Sequence, residues 1–193
     1  DLNNEKNTIK KILKCTLNQE DKFIESILVK LYLEGKKLNK IMDTYVEPTL
    51  VKIQKKLDQK EISVAEEHIA RKIISKALNS FRLSLYDDEN KNGKNVLCLN
   101  LENDIPDLPI DMIQILLEEL NYSVDNCGSH TSIKDIRKLL KNKKYEFIYI
   151  YLCDRQCCTS TIKDNIKKTN QNLQKISDLG RKYNIKLFLG GPS

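Results

Sequence analysis

Two histidines and six cysteines supply the imidazole and thiol chemistry of this 193-residue chain, and they are unevenly placed. His130 lies in Cys127-Gly128-Ser129-His130-Thr131, a polar stretch after a short apolar run. An imidazole in such a loop suits an axial ligand to haem, iron or another metal. His68 follows Glu67 in a helical pattern, where Glu67 and Arg71 stand four apart and can pair across one turn. Cys153, Cys157 and Cys158 cluster beyond a further apolar run and are candidates for redox or metal chemistry. Their spacing matches no standard zinc or iron–sulfur arrangement. Cys15 falls on an apolar helix stripe and Cys98 inside a predicted strand, so both are expected as buried thiols. No nucleophile and base stand at motif spacing and no phosphate loop occurs, so no enzyme is expected.

The elements that must position these groups fall into two kinds. Residues 5–82 read as helices throughout. Phe23, Ile24, Ile27, Leu28, Leu31 and Tyr32 recur at threes and fours, and Gly35 supplies a stop. Leu38 to Leu57 continues the period, with Pro48 as a kink or break. Ser63 and Glu66 form a capping box that opens a last helix, behind which Ile69, Ile73, Ala77 and Phe81 predict a core stripe. Four helices with short connections imply an antiparallel bundle over residues 1–85.

A polar, turn-rich stretch over residues 86–94 reads as a linker. Beyond it the pattern becomes strand–helix alternation. Strands are expected near 96–101, 122–124, 147–152 and 185–189, with helices near 110–120, 133–141 and 162–183. That alternation predicts a doubly wound, parallel, flavodoxin-like (Rossmann-like) sheet over residues 95–193. A complete unit of this kind has five strands, so the last strand is expected to be lacking. In such sheets ligands bind beyond the carboxyl ends of the strands. Residues 103–107, 127–131, 153–159 and 190–193 would then line one crevice, with the bundle over it as a lid.

Composition narrows the class. The net charge of +6 comes mostly from lysines interleaved with Asp and Glu, which reads as a solvated surface rather than a nucleic-acid footprint. No apolar window reaches a membrane span and the first residues are polar and Lys-rich, so a cytoplasmic protein is expected. The first residue is Asp1, which suggests a fragment of a longer chain.

From Val46 onward the helical half resembles the cobalamin-binding sensor region of MerR-class transcription regulators, the light sensors among them. Pro48 and Leu50 match that family's pattern, Ser63-Val64-Ala65-Glu66-Glu67-His68 matches it closely, and Leu57 stands where the family has a Trp. The resemblance implies that Leu57, Glu67 and His68 face the upper side of a corrinoid. In the second half the family's cobalt-ligating signature aligns with residues 104–109. Asp104 keeps the acidic position, Pro106 replaces the histidine ligand and Pro109 the glycine. A proline cannot coordinate a metal, so His-on, base-off cobalamin binding is not expected. The segment that lines the nucleotide-tail channel in the family reads Tyr151-Leu152-Cys153-Asp154, and Gly190-Gly191 matches its glycine pair, whose small size lets a tail approach the backbone.

The ligand set implied is therefore Leu57, Glu67, His68, Asp104, Pro106, His130, Thr131, Cys153, Gly190 and Gly191, with His130 and His68 as metal candidates. Cobalamin, haem or no cofactor all stay open. The function implied is the ligand-sensing, homo-oligomerising module of a regulator, which meets DNA through a helix-turn-helix outside this chain. The alternatives are a corrinoid-carrying subunit of a methyltransferase, a haem or redox sensor, and a ligand-free interaction module.

Overall fold

The computed structural model describes residues 2–85, 92–101, 107–152 and 162–191, with residues 162–165 as backbone. Two compact units divide between Asp87 and Asp88, inside the expected linker. Asn92 and Lys94, at the far end of that stretch, already belong to the second unit. The Asn92 N–H donates to the Asn121 carbonyl at 2.8 Å, and the Ser123 N–H to the Lys94 carbonyl at 2.9 Å.

The first unit is helical: α1 (Leu2–Leu17), α2 (Asp21–Leu33), α3 (Leu38–Ile41), a π-helical turn (Met42–Val46), α4 (Glu47–Asp58) and α5 (Val64–Leu85). Segments 38–58 follow one another without a gap, so the expected four helices are present. Gly35 ends α2 at φ +83°, a backbone setting that costs any other residue strain, and the Lys36 N–H reaches back to the Leu31 carbonyl at 3.2 Å. Pro48 does not break the rod. It sits in the first turn of α4, directly behind the π turn. A proline offers no N–H and its ring crowds the carbonyl four residues back, here that of Thr44. Widening the preceding turn accommodates the ring within a continuous helix.

The capping box of α5 is formed. The Ser63 N–H donates to Glu66 Oε2 at 2.7 Å and the Glu66 N–H to Ser63 Oγ at 3.2 Å. The bond from the Ser63 backbone holds the Glu66 carboxyl below its ordinary range. Behind it the buried stripe is Glu67, Ala70, Ile74, Ala77, Leu78 and Phe81, one position off the expected Ile69–Ile73 line. Ile69 is 43 % exposed. The reason is geometric: repeated steps of four drift about 40° each round a helix of 3.6 residues per turn, whereas steps mixing three and four hold one face. Phe81 is fully buried and meets Tyr32 edge-on, with ring centroids 6.3 Å apart.

The second unit is a four-stranded parallel sheet among the described residues, ordered β2-β1-β3-β4, from β1 (Asn95–Asn100), β2 (Ser123–Asn126), β3 (Phe147–Tyr151) and β4 (Lys186–Gly190). The fold is therefore a helical bundle followed by a doubly wound parallel sheet. Helices α7 (Ile133–Asn142) and α8 (Ile162–Tyr183) share one face. There Leu97, Leu99, Ile148 and Ile150 pack with Ile136 and Ile176. Helix α6 (Leu108–Glu119) covers the other, where Ile110 meets Val96 and Cys98, with Phe147, Tyr149 and Tyr151 alongside. Ser132 caps α7 by accepting the Asp135 N–H at 3.2 Å, and Asn121 ends α6 at φ +63°. No described helix is long and apolar enough to cross a membrane.

Phe81→Ala should remove about 3–5 kcal/mol of stability, since a fully buried ring leaves a cavity that the surrounding helices fill only in part. Urea denaturation followed by circular dichroism checks this, and a loss below about 1 kcal/mol would contradict the packing described.

Candidate functional site

The carboxyl ends of the strands are where the topology collects polar groups. At the end of β1, Asn100 is fully buried, and its N–H donates to the Gly128 carbonyl at 3.0 Å. The Thr131 N–H donates back to the Asn100 carbonyl at 3.0 Å, and Leu101 forms a parallel bridge with Thr131. The loop carrying His130 is thus laced to the central strand along its whole length. Asn126 at the end of β2 ties it to α6 as well. Its Nδ2 donates to Asp111 Oδ1 at 3.1 Å and to Gln114 Oε1 at 2.9 Å, while its Oδ1 accepts the Gly128 N–H at 2.8 Å. A Cβ on Gly128 would stand 3.2 Å from Asp107 Oδ1, so this glycine lets the carboxylate at the head of α6 come close.

Within the loop, His130 is exposed at φ +59°. Thr131 is only 6 % exposed, and its hydroxyl has no hydrogen-bond partner among the described residues. Cys127 is half-buried against the α7–α8 face, while Cys98 lies on the α6 face, so the two thiols are separated by the sheet. Burial pushes the Cys98 thiol up to about 12, with Cys127 and Glu118 adding in the same direction. Burial, then Asp125 and Asp135, raise Cys127 too. Both are held toward the protonated thiol, which argues against a nucleophilic role for them. Cys15 is buried as expected. Asp104, Pro106, Cys153, Cys157 and Cys158 lie outside the described residues. Among the described residues no three His, Cys, Asp or Glu side chains gather in a metal-binding cluster.

At the end of β4 the glycine pair is enclosed by its own chain. A Cβ on Gly190 would overlap the Tyr149 hydroxyl and stand 2.6 Å from its ring carbon Cζ. One on Gly191, at φ +148°, would collide with the Leu152 carbonyl oxygen. The Leu152 N–H in turn donates to the Gly190 carbonyl at 2.8 Å. Residue types alone imply room at this point for a ligand tail; in the fold the phenol of Tyr149 packs directly against Gly190.

In the helical unit, Glu67 is 4 % exposed and its carboxylate accepts from Arg71 Nε, whose Nη2 lies 3.5 Å from Gln54 Oε1 on α4. Glu67 therefore serves the packing of α4 on α5 through the i,i+4 pair visible in the sequence. The side chain of His68 is 70 % exposed, with its Nε2 3.9 Å from Glu67, and Leu57 is half-buried.

One polar cluster has no sequence signal. Asp125 on β2 accepts from Lys143 Nζ at 2.7 and 2.9 Å and from the Tyr145 hydroxyl at 2.6 Å. Burial pushes the Asp125 carboxyl up, but the bonds from Lys143 and Tyr145 outweigh it and hold it below its ordinary value. Burial and the same carboxylate raise the Tyr145 phenol. Its members lie 18 and 20 residues apart with no motif, so only the fold reveals them.

No family model matches the chain, and no curated protein matches it. Solved structures do. The monomethylamine corrinoid protein of Methanosarcina barkeri is 13 % identical, with 96 % of this chain and 84 % of that one covered, at a TM-score of 0.68. This chain shares the fold of that protein. A cobalamin-binding protein of Desulfitobacterium hafniense DCB-2 is 13 % identical over 95 % and 84 % of the two chains, with a TM-score of 0.42. The methanol:cobalamin methyltransferase complex of M. barkeri gives 15 % over 96 % and 67 %, also at 0.42. The first of these likenesses establishes the fold and nothing of the ligand. On the alignment that the sequence implies, Pro106 offers no donor to cobalt and the Tyr149 phenol stands against Gly190, so these residues would not fit a corrinoid held by a lower histidine with its tail in the sheet.

Asp125→Asn keeps an acceptor for Tyr145 but removes the charge facing Lys143. A carboxyl held below its ordinary value adds stability above that value and loses it as pH falls through the folded one. The variant should therefore be less stable at neutral pH, by under about 1 kcal/mol for a pair this exposed. The difference should vanish as pH drops below 3.8 and through the lower folded value. Parallel urea titrations down the pH scale check it, and a constant or widening gap would refute it.

Proposed function

We propose that this chain is the ligand-sensing module of a transcription regulator, a non-enzymatic, self-associating protein whose DNA contacts are made by a helix-turn-helix outside this chain. The observation that carries this reading is a cobalamin-binding fold in which both of the cofactor-holding devices are replaced by groups that cannot do that work, Pro106 and the Tyr149-filled cradle. A carrier of methyl groups depends on the cobalt site and could not lose it. A sensor needs only a molecule whose binding differs between two states of the protein. The Ser-Val-Ala-Glu-Glu-His run at 63–68 supports the regulator over the carrier, because it is the segment most like the sensor family. The ligand is a flat macrocycle, a corrinoid bound without histidine or a haem, and the exposed imidazole of His130, with His68 as its rival, is the candidate ligand to a haem iron. The protein would act in the cytoplasm.

The second reading, a corrinoid-carrying subunit of a methyltransferase, draws on the likeness to the monomethylamine corrinoid protein. Light scattering of the purified chain with adenosylcobalamin and with haem, in reduced and oxidised buffer, tests the first. The expected result is an assembly whose mass changes with one of the ligands or with thiol oxidation. A mass indifferent to every condition overturns it. Stoichiometric adenosylcobalamin with a base-off, His-on spectrum would favour the carrier.

A further inference from the structure

The two faces of the sheet carry helices of opposite charge. On one side α6 holds Asp111, Glu118 and Glu119, with no lysine or arginine between Leu108 and Glu119. On the other side α7 and α8 lie side by side over a common core. On α7, Lys134, Arg137, Lys138 and Lys141 follow at steps of three, one and three, so all four fall on one side of the helix, and all are exposed. The one acid of that helix, Asp135, accepts the Ser132 hydroxyl at the N-terminal cap. Lys143, just past the helix end, is held by Asp125 at 2.7 Å and stands apart from the stripe. Among the described residues no carboxylate pairs with any of the four. Helix α8 widens the surface. Lys167, Lys175, Arg181 and Lys182 are exposed there, and the one acid from Ile166 to Tyr183, Asp178, is engaged by Gln174 and Arg181. Cations outnumber acids only 33 to 27 in the whole chain, so the single sign of this face comes from how the fold sorts them.

We infer that the α7–α8 face is a docking surface for the sugar-phosphate backbone of duplex DNA, contacted without regard to base sequence. The stripe on α7 runs about 10 Å along the helix axis, a length over which a duplex presents about six phosphate charges. Cations spaced one helical turn apart match such a line of charge, and the exposed amides of Asn170 and Gln171 on α8 add neutral donors for phosphate and sugar oxygens. A lipid surface fits less well. Ile133, Ile136, Leu139 and Leu140 of α7 all pack on the sheet core, which leaves no apolar side chain of that helix to enter a bilayer. The choice of DNA among polyanions rests on the regulator reading above and adds to it a second, sequence-blind contact made by the sheet unit itself.

Fluorescence anisotropy of the purified chain with a labelled duplex of mixed sequence, from about 50 to 200 mM salt, reads the affinity and its salt slope. Four phosphate contacts predict a loss of about a hundredfold over that range. Lys138→Ala/Lys141→Ala should weaken binding at least about tenfold at the low-salt end and lower the slope by about two. Lys138→Arg/Lys141→Arg keeps the charge and should bind as wild type does. Lys10→Ala/Lys11→Ala removes the same charge from exposed positions on α1 and should leave both readings unchanged. Because all four altered positions are exposed, every variant should keep the circular dichroism of wild type. Equal weakening by the two alanine pairs would trace the effect to net charge and overturn the proposal, and so would an absence of binding at the low-salt end. Either result leaves the sensor reading standing, since that is judged by light scattering with its own ligands. Tighter retention on single-stranded RNA or on phosphatidylserine vesicles than on the duplex overturns the choice of partner.

Discussion

The burial of β1 on both faces is the constraint on which the α/β unit depends. Val96, Leu97, Cys98 and Leu99 are fully buried and alternate in direction, so two separate cores meet on one strand. Each such side chain gains about 1.5–3 kcal/mol over exposure, and the gain exists only if both faces are covered. The chain meets this by sending α6 to one side and α7 and α8 to the other, which makes β1 central and its neighbours β2 and β3. A strand placed there has its carboxyl end at the point where the connections diverge. The divergence of connections at that point is thus a by-product of covering β1, whether or not a ligand follows.

Much of this is legible in the sequence because hydrophobic period is a strong signal in long elements. The bundle, the alternation of strands and helices, the capping box at Ser63 and the left-handed stop at Asn121 all follow from local chemistry that the fold does not override. What is not legible lies where two side chains far apart in sequence compete for one space. Periodicity puts the stripe on α5 one position off because Ile69 and Ala70 both suit a helix face, and only the packing of α4 and α2 against α5 selects between them. Glu67 is turned into the packing beside Arg71, which the four-residue spacing foretells, whereas the reach of Arg71 to Gln54 on α4 is visible only in the fold. Gly190 matches a pattern in type, while its purpose depends on a tyrosine on another strand.

The helical unit accepts a cost for that inward turn. A buried carboxylate is tolerated only when paired and hydrogen-bonded, and loss of one partner leaves an uncompensated charge. Arg71 supplies the charge and Gln54 anchors the guanidinium from α4, so the pair fixes the register of α4 on α5 in a way that an apolar contact would not. His68 is left outside this arrangement, its side chain in solvent one residue from the buried acid. Glutamate and histidine adjacent in sequence have opposite environments because consecutive helical residues point about 100° apart. An adjacent pair therefore cannot be assumed to face one ligand on sequence grounds alone.

At the strand ends the same separation of roles gives the crevice two unlike sides. Near β1 and β2 it is polar: Asn126 joins loop to helix, Asp107 stands against Gly128, and the Thr131 hydroxyl is buried without a partner. An unsatisfied hydroxyl of this kind costs about 1–3 kcal/mol, which a water or ligand group at that spot would recover. Near β4 it is aromatic and closed, with Tyr149 over Gly190. The polar side is held by backbone bonds to β1, whose residues from Val96 to Asn100 are fully buried. The aromatic side rests on the edge strand β4, where Phe188 and Leu189 are exposed, and is the side least constrained by the core. The hydrogen-bonded polar groups and the aromatic phenol thus stand at opposite edges of one sheet, held by different strands.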